Sequence, residues 1–203
     1  MEFYPFELID GHIIAQIDGQ HVLIDTGSLY SFGDSPLHIN GAFHQLPTSM
    51  LGLSAGTISR FIRHPIDVLL GGDHLADMVL TVNWDTAQVI LGETSECAPA
   101  TRLPLAMVMG IPAVEVLAQG NAHCAFFDTG AKISYLPGEV LDAGIPFGEV
   151  EDFYPGIGTF TTRTATVDIV FANHPLHITA GELPPLLAMM LMMTGVRAIV
   201  GTD

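Results

Sequence analysis

The sequence predicts an all-β protein, mostly β with a few short helices, built from two copies of one unit. Three observations support this. Hydrophobic residues make up 49% of the 203 residues, enough to bury one sizeable core or two cores of about 100 residues each. Short runs rich in β-branched or alternating residues recur along the chain, bounded mostly by Gly, Pro, Asn or Asp. One series of motifs also occurs twice in the same order, which indicates a duplicated unit.

The individual elements follow from local patterns. Strands are predicted at 12–17, 79–82, 88–91, 114–117 and 164–171. Two helices are predicted, one at 48–61 with Thr48 as its N-cap and one at 185–194 with proline early in its first turn. Each helix directly precedes an apolar strand that ends in glycine.

The repeat has three landmarks. An apolar strand leads into Asp25-Thr26-Gly27 in the first copy and Asp128-Thr129-Gly130 in the second. Pro-Leu-His-Ile follows at 36–39 and 175–178. An apolar run that leads into glycine, and two residues later into aspartate, closes each copy at 68–73 and 198–203. We expect another backbone to approach closely at Gly71 and Gly201, and Asp73 and Asp203 to act as capping residues.

In this order of landmarks the chain resembles the pepsin-like and retropepsin-like aspartic peptidases over nearly its whole length. The resemblance implies a single-chain, bilobal pepsin-like acid protease fold, with two pseudo-twofold related β-barrel lobes and the active-site cleft between them. The predicted domains are an N-terminal lobe at 1–96, a linker at 97–104 and a C-terminal lobe at 105–203. Pro99 and neighbouring small residues are typical of such a linker.

The resemblance implies that Asp25 and Asp128 form one catalytic dyad. Peptide hydrolysis without a metal or covalent intermediate needs a carboxylate to polarise water and a carboxylic acid to protonate the carbonyl oxygen. Two carboxyl groups that share one proton supply both functions. An ordinary turn is the alternative for either Asp-Thr-Gly segment.

The same resemblance assigns support of the dyad to neighbouring residues. Thr26 and Thr129 would hydrogen-bond across the pseudo-twofold axis, while Gly27 and Gly130 let backbone N–H groups reach the carboxylates.

The residue after each motif differs between the copies. Ser28 offers a hydroxyl that can donate to Asp25, whereas Ala131 offers none to Asp128. We therefore expect Asp25 to be the more readily ionised partner and Asp128 the better acid.

An insertion distinguishes the second copy. From Gly27 to Pro36 is 36 − 27 = 9 residues, and from Gly130 to Pro175 is 175 − 130 = 45. The extra residues predict a flap-like hairpin around 150–172, with no counterpart in the first lobe. An exposed surface hairpin is the alternative. The residues expected to cover a bound peptide are Tyr154, Gly156, Ile157 and Gly158.

Composition restricts partners and cofactors. With 22 acidic and 6 basic residues and a net charge of −16, the chain is not expected to bind nucleic acid or an anionic membrane. No metal or organic cofactor is indicated, since the histidines are scattered singly. The apolar stretch at 183–196 is too short for a membrane helix. The absence of a signal peptide in the chain as given favours a cytoplasmic location and two free thiols at Cys97 and Cys124.

We expect an aspartic endopeptidase that cleaves extended polypeptide at acidic to neutral pH. A monomer is expected because both aspartates lie in one chain. Two alternatives are open: a catalytically quiet module that binds a peptide or protein, and a highly selective regulatory or self-processing protease. Apolar residues beside the loops either line the cleft or belong to the lobe cores. They are Leu29, Tyr30, Phe32, Ile133, Tyr135 and Leu136.

Overall fold

Short strands dominate the structure, a computed structural model that describes residues 2–92, 101–155 and 157–203. It is 51% strand and 13% helix, so the predicted mostly β class is confirmed. The chain divides into two compact units, Met1–Ala98 and Pro99–Asp203. Residues 93–100 lie outside the described residues. The predicted end of the first lobe at 96 and the first part of the predicted linker, 97–100, fall within that range. Residues 101–104 of the linker belong to no helix or strand.

The first unit has eleven strands and two helices within residues 2–92. The strands are β1 (Glu2–Ile9), β2 (His12–Ile17), β3 (Gln20–Ile24), β4 (Phe32–Gly33), β5 (Leu37–Ile39), β6 (Ala42–His44), β7 (Ser49–Met50), β8 (Leu53–Ser54), β9 (Val68–Leu70), β10 (Val79–Asn83) and β11 (Gln88–Gly92). The helices are α1 (Ala55–Ile62) and α2 (Gly72–Leu75).

Seven of these strands form one sheet in the order β10-β11-β1-β2-β3-β9-β4. Strands β3 and β9 pair in parallel, with Val22 opposite Val68 and Ile24 opposite Leu70. All four of these side chains are fully buried, as expected for strands covered on both faces. The parallel pair therefore fixes, within the core, the point from which the loop after β3 begins.

The helix predicted at 48–61 is wrong in its first half. Residues 49–54 form the β7–β8 hairpin, because Leu51 and Gly52 both adopt positive φ angles of 50° and 81°, which a helix does not tolerate. Helix α1 begins after Ser54, whose Oγ accepts from Thr57 N at 3.3 Å. Ser54, and not Thr48, is the N-cap.

Within its described residues, 101–155 and 157–203, the second unit has seven strands and two helices. The strands are β12 (Ala106–Val108), β13 (Ile111–Ala118), β14 (Asn121–Phe127), β15 (Ile145–Tyr154), β16 (Gly158–Phe171), β17 (His174–Gly181) and β18 (Ala198–Val200). The helices are α3 (Gly138–Asp142) and α4 (Pro185–Met192). The second predicted helix is thus confirmed, although it ends two residues earlier than expected.

The second unit repeats the central pairing of the first. Its sheet has the order β15-β16-β13-β14-β18, with β12 added on β13 and β17 on β16. Strands β14 and β18 pair in parallel, with Ala125 opposite Ala198 and Phe127 opposite Val200. Parallel pairing of the strand before Asp-Thr-Gly with the strand before the closing glycine therefore occurs in both units.

The second landmark of the repeat is not equivalent in the structure. Leu37–Ile39 forms a two-stranded sheet with β6, whereas Leu176 to Ile178 lie in β17 and pair with β16. The match in sequence therefore occurs in two different sheets. Among the described residues no helix has the length and apolar character to cross a bilayer.

Candidate active-site loops

The first Asp-Thr-Gly loop begins where β3 leaves the sheet. Asp25 N donates to Leu70 O at 3.0 Å, which extends the parallel pairing by one residue. Asp25 Oδ1 accepts from Gly27 N at 3.0 Å and from Ser28 N at 2.8 Å. The loop's own backbone thereby holds the half-buried carboxylate in one orientation.

The second loop is built in the same way. Asp128 N donates to Val200 O at 2.9 Å, and Asp128 Oδ1 accepts from Gly130 N at 2.8 Å. Gly130 thus supplies the N–H group that its position after Asp-Thr predicts. Thr129 is buried and Thr26 is half-buried; their hydrogen bonds across the pseudo-twofold axis stay a prediction.

Ser28 does not use its hydroxyl as predicted. The Ser28 Oγ donates to Tyr30 O at 3.0 Å, so the expectation that it donates to Asp25 is wrong. The tight loop instead directs the Ser28 backbone N–H at the carboxylate. Ala131 has a backbone N–H too, which donates to Asp128 O at 3.3 Å. The hypothesis that Asp25 ionises more readily therefore loses the hydroxyl as its basis.

Ser31 and Asp73 form a hydrogen-bonded pair, here called a brace, that supports the first loop. Ser31 N and Ser31 Oγ donate to Asp73 Oδ1 at 2.9 and 2.6 Å, and Gly71 N donates to Ser31 Oγ at 2.8 Å. Asp73 lies inside the first turn of α2, whose N-cap is Gly71. The predicted capping role of Asp73 is therefore wrong, because its carboxylate is used by the loop.

The second loop has the same brace. Ser134 N and Ser134 Oγ both donate to Asp203 Oδ1 at 2.7 Å, and Gly201 N donates to Ser134 Oγ at 3.1 Å. The capping role predicted for Asp203 is wrong for the same reason.

Sequence analysis missed both serines, although their spacing is a signal. Each lies six residues after the aspartate of its motif (31 − 25 = 6 and 134 − 128 = 6), and each bracing aspartate lies two residues after the closing glycine.

The first brace also contacts histidine. His74 Nδ1 lies 3.0 Å from both Ser31 Oγ and Asp73 Oδ1, and the His44 ring packs edge-on against His74 at 5.0 Å. Burial opposes ionisation of Asp73, but the hydrogen bonds from Ser31 and His74 outweigh it and hold the Asp73 pKa below its ordinary value. The brace in the first unit is therefore ionised near neutral pH.

The closing glycines allow the close approach that their position predicts. A Cβ at Gly71 would lie 2.7 Å from Tyr30 O, and one at Gly201 would lie 2.6 Å from Ile133 O. Real Cβ atoms essentially never come this close to other atoms. The prediction that another backbone lies against these two glycines is confirmed.

The apolar residues beside the loops divide into two groups. Phe32, Tyr135 and Leu136 are buried in their units, whereas Leu29 and Tyr30 are exposed. Ile133 is partly buried against the core that contains Tyr135. Phe32, Tyr135 and Leu136 are therefore core residues, whereas Leu29 and Tyr30 present side-chain surface to solvent.

The predicted hairpin is formed by β15 and β16. Tyr154 pairs with Gly158 next to its tip, and Ile157 N donates to Tyr154 O at 3.0 Å. Gly158 adopts a φ of +90°, which glycine tolerates best. Gly156 lies outside the described residues. Tyr154 and Ile157 are each more than a third exposed, so both present side-chain surface at the tip.

Two side chains of the second loop region reach the hairpin. Lys132 Nζ donates to Glu151 O, and the buried Tyr135 hydroxyl donates to the buried Asp152 Oδ2. Burial, followed by the charge of Asp152 and its hydrogen bond, raises the pKa of Tyr135 far above its ordinary value. Tyr135 therefore stays a hydrogen-bond donor at any working pH.

Within the described ranges no cluster of three or more His, Cys, Asp or Glu side chains could hold a metal ion. Cys124 is an exposed free thiol, and Cys97 lies outside the described residues.

Comparison with protein-family models found no match, and comparison with curated proteins found none either.

Proposed function

We propose that the chain is an aspartic endopeptidase of the pepsin-like and retropepsin-like kind, with a bilobal fold and one dyad made of Asp25 and Asp128. The observation that carries the proposal is the repeated loop geometry. In each unit the aspartate follows a strand in a parallel pair, and its Oδ1 accepts from the glycine two residues later. An ordinary Asp-Gly turn does not account for the matched Ser31–Asp73 and Ser134–Asp203 braces.

The proposed reaction uses one water and one shared proton. The ionised carboxylate of the dyad takes a proton from water as the water attacks the peptide carbonyl carbon, and the protonated carboxyl donates to the carbonyl oxygen. The carboxyl group that took up the water proton then passes it to the leaving nitrogen, and the C–N bond breaks. One hydroxyl of the tetrahedral intermediate returns a proton to the other carboxylate as the carbonyl group forms again, which restores the dyad. Two adjacent carboxyl groups hold a single proton over a wide pH range because ionising both is unfavourable.

The hairpin β15–β16 would cover the substrate in this proposal. Its tip residues Tyr154, Ile157 and Gly158, with Gly156, would contact an extended peptide, whose backbone could pair with a strand edge. Covering the peptide would exclude water from the dyad. The preferred substrate is accordingly an extended, unstructured polypeptide.

The test is cleavage of a diverse peptide library between pH 3 and 8. Wild type is compared with Asp25→Asn, Asp128→Asn and the control Asp18→Asn. Asp18 is exposed and has a φ of 53°, which asparagine tolerates as well as aspartate does. We expect wild type and the control to cleave, and both dyad variants to lose activity by several orders of magnitude.

The result also separates the alternatives. Cleavage of only a few peptides in the library, with casein untouched, would favour a selective regulatory protease. If all four proteins are inactive while wild type retains bound peptides, the enzyme assignment is wrong and the chain is a peptide-binding module.

A further inference from the structure

The second unit contains a buried tyrosine–carboxylate pair for which the proposed reaction has no use. Tyr135 and Asp152 are 3% and 7% exposed, respectively, and the Tyr135 hydroxyl donates to Asp152 Oδ2. Burying a carboxylate costs free energy unless hydrogen bonds compensate. The pair joins two different parts of the unit, since Tyr135 follows Asp128 by 135 − 128 = 7 residues and Asp152 lies on β15.

The Tyr135 backbone is hydrogen-bonded to β18, which also accepts the backbone N–H group of Asp128. Tyr135 N donates to Ile199 O at 2.8 Å, and Ile199 N donates to Tyr135 O at 2.9 Å. The next residue of β18, Val200, accepts the Asp128 N–H through its carbonyl oxygen. A displacement of Tyr135 along β18 would therefore disturb the backbone position of Asp128.

The other end of the pair is fixed to the hairpin. Asp152 Oδ1 accepts from Phe153 N at 2.8 Å, so both carboxylate oxygens have donors. The Tyr135 ring packs against Phe160 of β16 with centroids 6.4 Å apart. Lys132 adds a second connection through Glu151 O on β15. Side chains from the segment after Asp128 thus contact both strands of the hairpin.

We propose that Tyr135 and Asp152 are positioning residues that fasten the β15–β16 hairpin to the loop carrying Asp128. The position of the hairpin and the orientation of the Asp128 carboxylate are then coupled. The consequence for catalysis rests on the proposed function, whereas the coupling itself rests on contacts within the second unit. The two parts are therefore tested by different measurements.

The coupling is tested by amide hydrogen exchange of Tyr135→Phe. This variant keeps the packed ring but removes the hydroxyl that donates to Oδ2 of the buried Asp152. We expect exchange at 145–171 and at the Asp128 loop to accelerate together by roughly 10- to 100-fold, the effect of losing a hydrogen bond to a charged group.

The matched control is Tyr4→Phe. Tyr4 also donates to a carboxylate, that of Glu2, but it lies in the first unit. Exchange in the second unit should not change in this control. Unfolding curves would verify that both variants are folded. Unchanged exchange of the hairpin in folded Tyr135→Phe would overturn the coupling.

A conservative series at Asp152 separates positioning from simple packing. Asparagine keeps one carbonyl acceptor for the Tyr135 hydroxyl, whereas alanine keeps none. We expect hairpin exchange to increase in the order wild type, Asp152→Asn, Asp152→Ala. Equal exchange in Asp152→Asn and Asp152→Ala would argue against a role for the hydrogen bond.

Kinetics then test the consequence for catalysis. In Tyr135→Phe we expect KM to rise and kcat to fall, with kcat/KM reduced roughly 10-fold or more. If wild type cleaves no peptide, the proposed function fails, and the exchange data still decide the coupling. If wild type cleaves and Tyr135→Phe has the same kcat and KM although its hairpin exchanges faster, the proposed link to catalysis is wrong.

Discussion

Replacing Gly71 by alanine measures how closely the first Asp-Thr-Gly loop is packed on the strand that supports it. Gly71 has a φ of −110°, which alanine adopts without strain, so the effect is purely steric. The new Cβ would lie 2.7 Å from Tyr30 O and 2.9 Å from Ser28 O. Ordinary contact begins at 3.4 Å, so the loop backbone must move by about 3.4 − 2.7 = 0.7 Å.

This displacement is costly because the loop is held in place by hydrogen bonds. Gly72 N donates to Ser28 O at 2.7 Å, and Gly71 N donates to Ser31 Oγ at 2.8 Å. Overpacking costs about 1–3 kcal/mol, and backbone atoms cannot rotate away as a side chain can. We therefore expect a loss of about 2–3 kcal/mol in the free energy of unfolding.

Urea unfolding followed by tryptophan fluorescence is a suitable assay. Trp84 is the only tryptophan of the chain and packs edge-on against Phe6 at 5.3 Å, so its signal reports on the first unit. Gly56→Ala is the control. Gly56 lies in the first turn of α1, and a Cβ added there would have Ser54 Oγ as its nearest atom, at 3.9 Å. That change should stabilise by up to about 1 kcal/mol. A Gly71→Ala protein as stable as wild type would refute the reasoning.

Three further changes test other parts of the structure. Ser31→Ala should raise the Asp73 pKa in an NMR titration. Asp73 stabilises the fold above its unfolded pKa and loses that contribution as pH falls toward its lowered folded value, so the variant should lose less stability on acidification. Gly158→Pro should raise KM and lower kcat in peptide cleavage, because proline cannot adopt a φ of +90°. Leu70→Ala, at a fully buried position, should destabilise by about 2–5 kcal/mol, whereas Leu51→Ala, at an 87% exposed position, should change stability by less than about 0.5 kcal/mol in the same urea assay.

Features with a local cause were predictable from the residues. Apolar β-branched runs predicted the strands, and the position of Gly71 and Gly201 after such runs predicted a close backbone approach. The helix at 48–61 failed for a local reason as well, since positive φ angles at Leu51 and Gly52 turn the chain into a hairpin. Gly52 is the local residue type that favours such a turn.

Features that join distant residues were not predictable in this way. The Ser31–Asp73 brace spans 42 residues and the Ser134–Asp203 brace spans 69. A hydrogen bond over such a separation leaves no periodicity in either segment. The repeat alone carried a trace of it, because both copies have serine and aspartate at matched positions.

The sequence by itself determined that the chain is a duplicated, mostly β protein with an Asp-Thr-Gly segment in each copy. Strand periodicity and turn residues are properties of short segments, and the repeat is a comparison of two such segments, so none of them depends on which distant residues come into contact. Only the tertiary structure decided what those loops contact. It directed the Ser28 hydroxyl to Tyr30, assigned Asp73 and Asp203 to braces, and buried Tyr135 against Asp152. The physical reason is that the direction of a hydroxyl or carboxylate depends on which backbone and side chains fold around it, and those neighbours come from distant parts of the sequence.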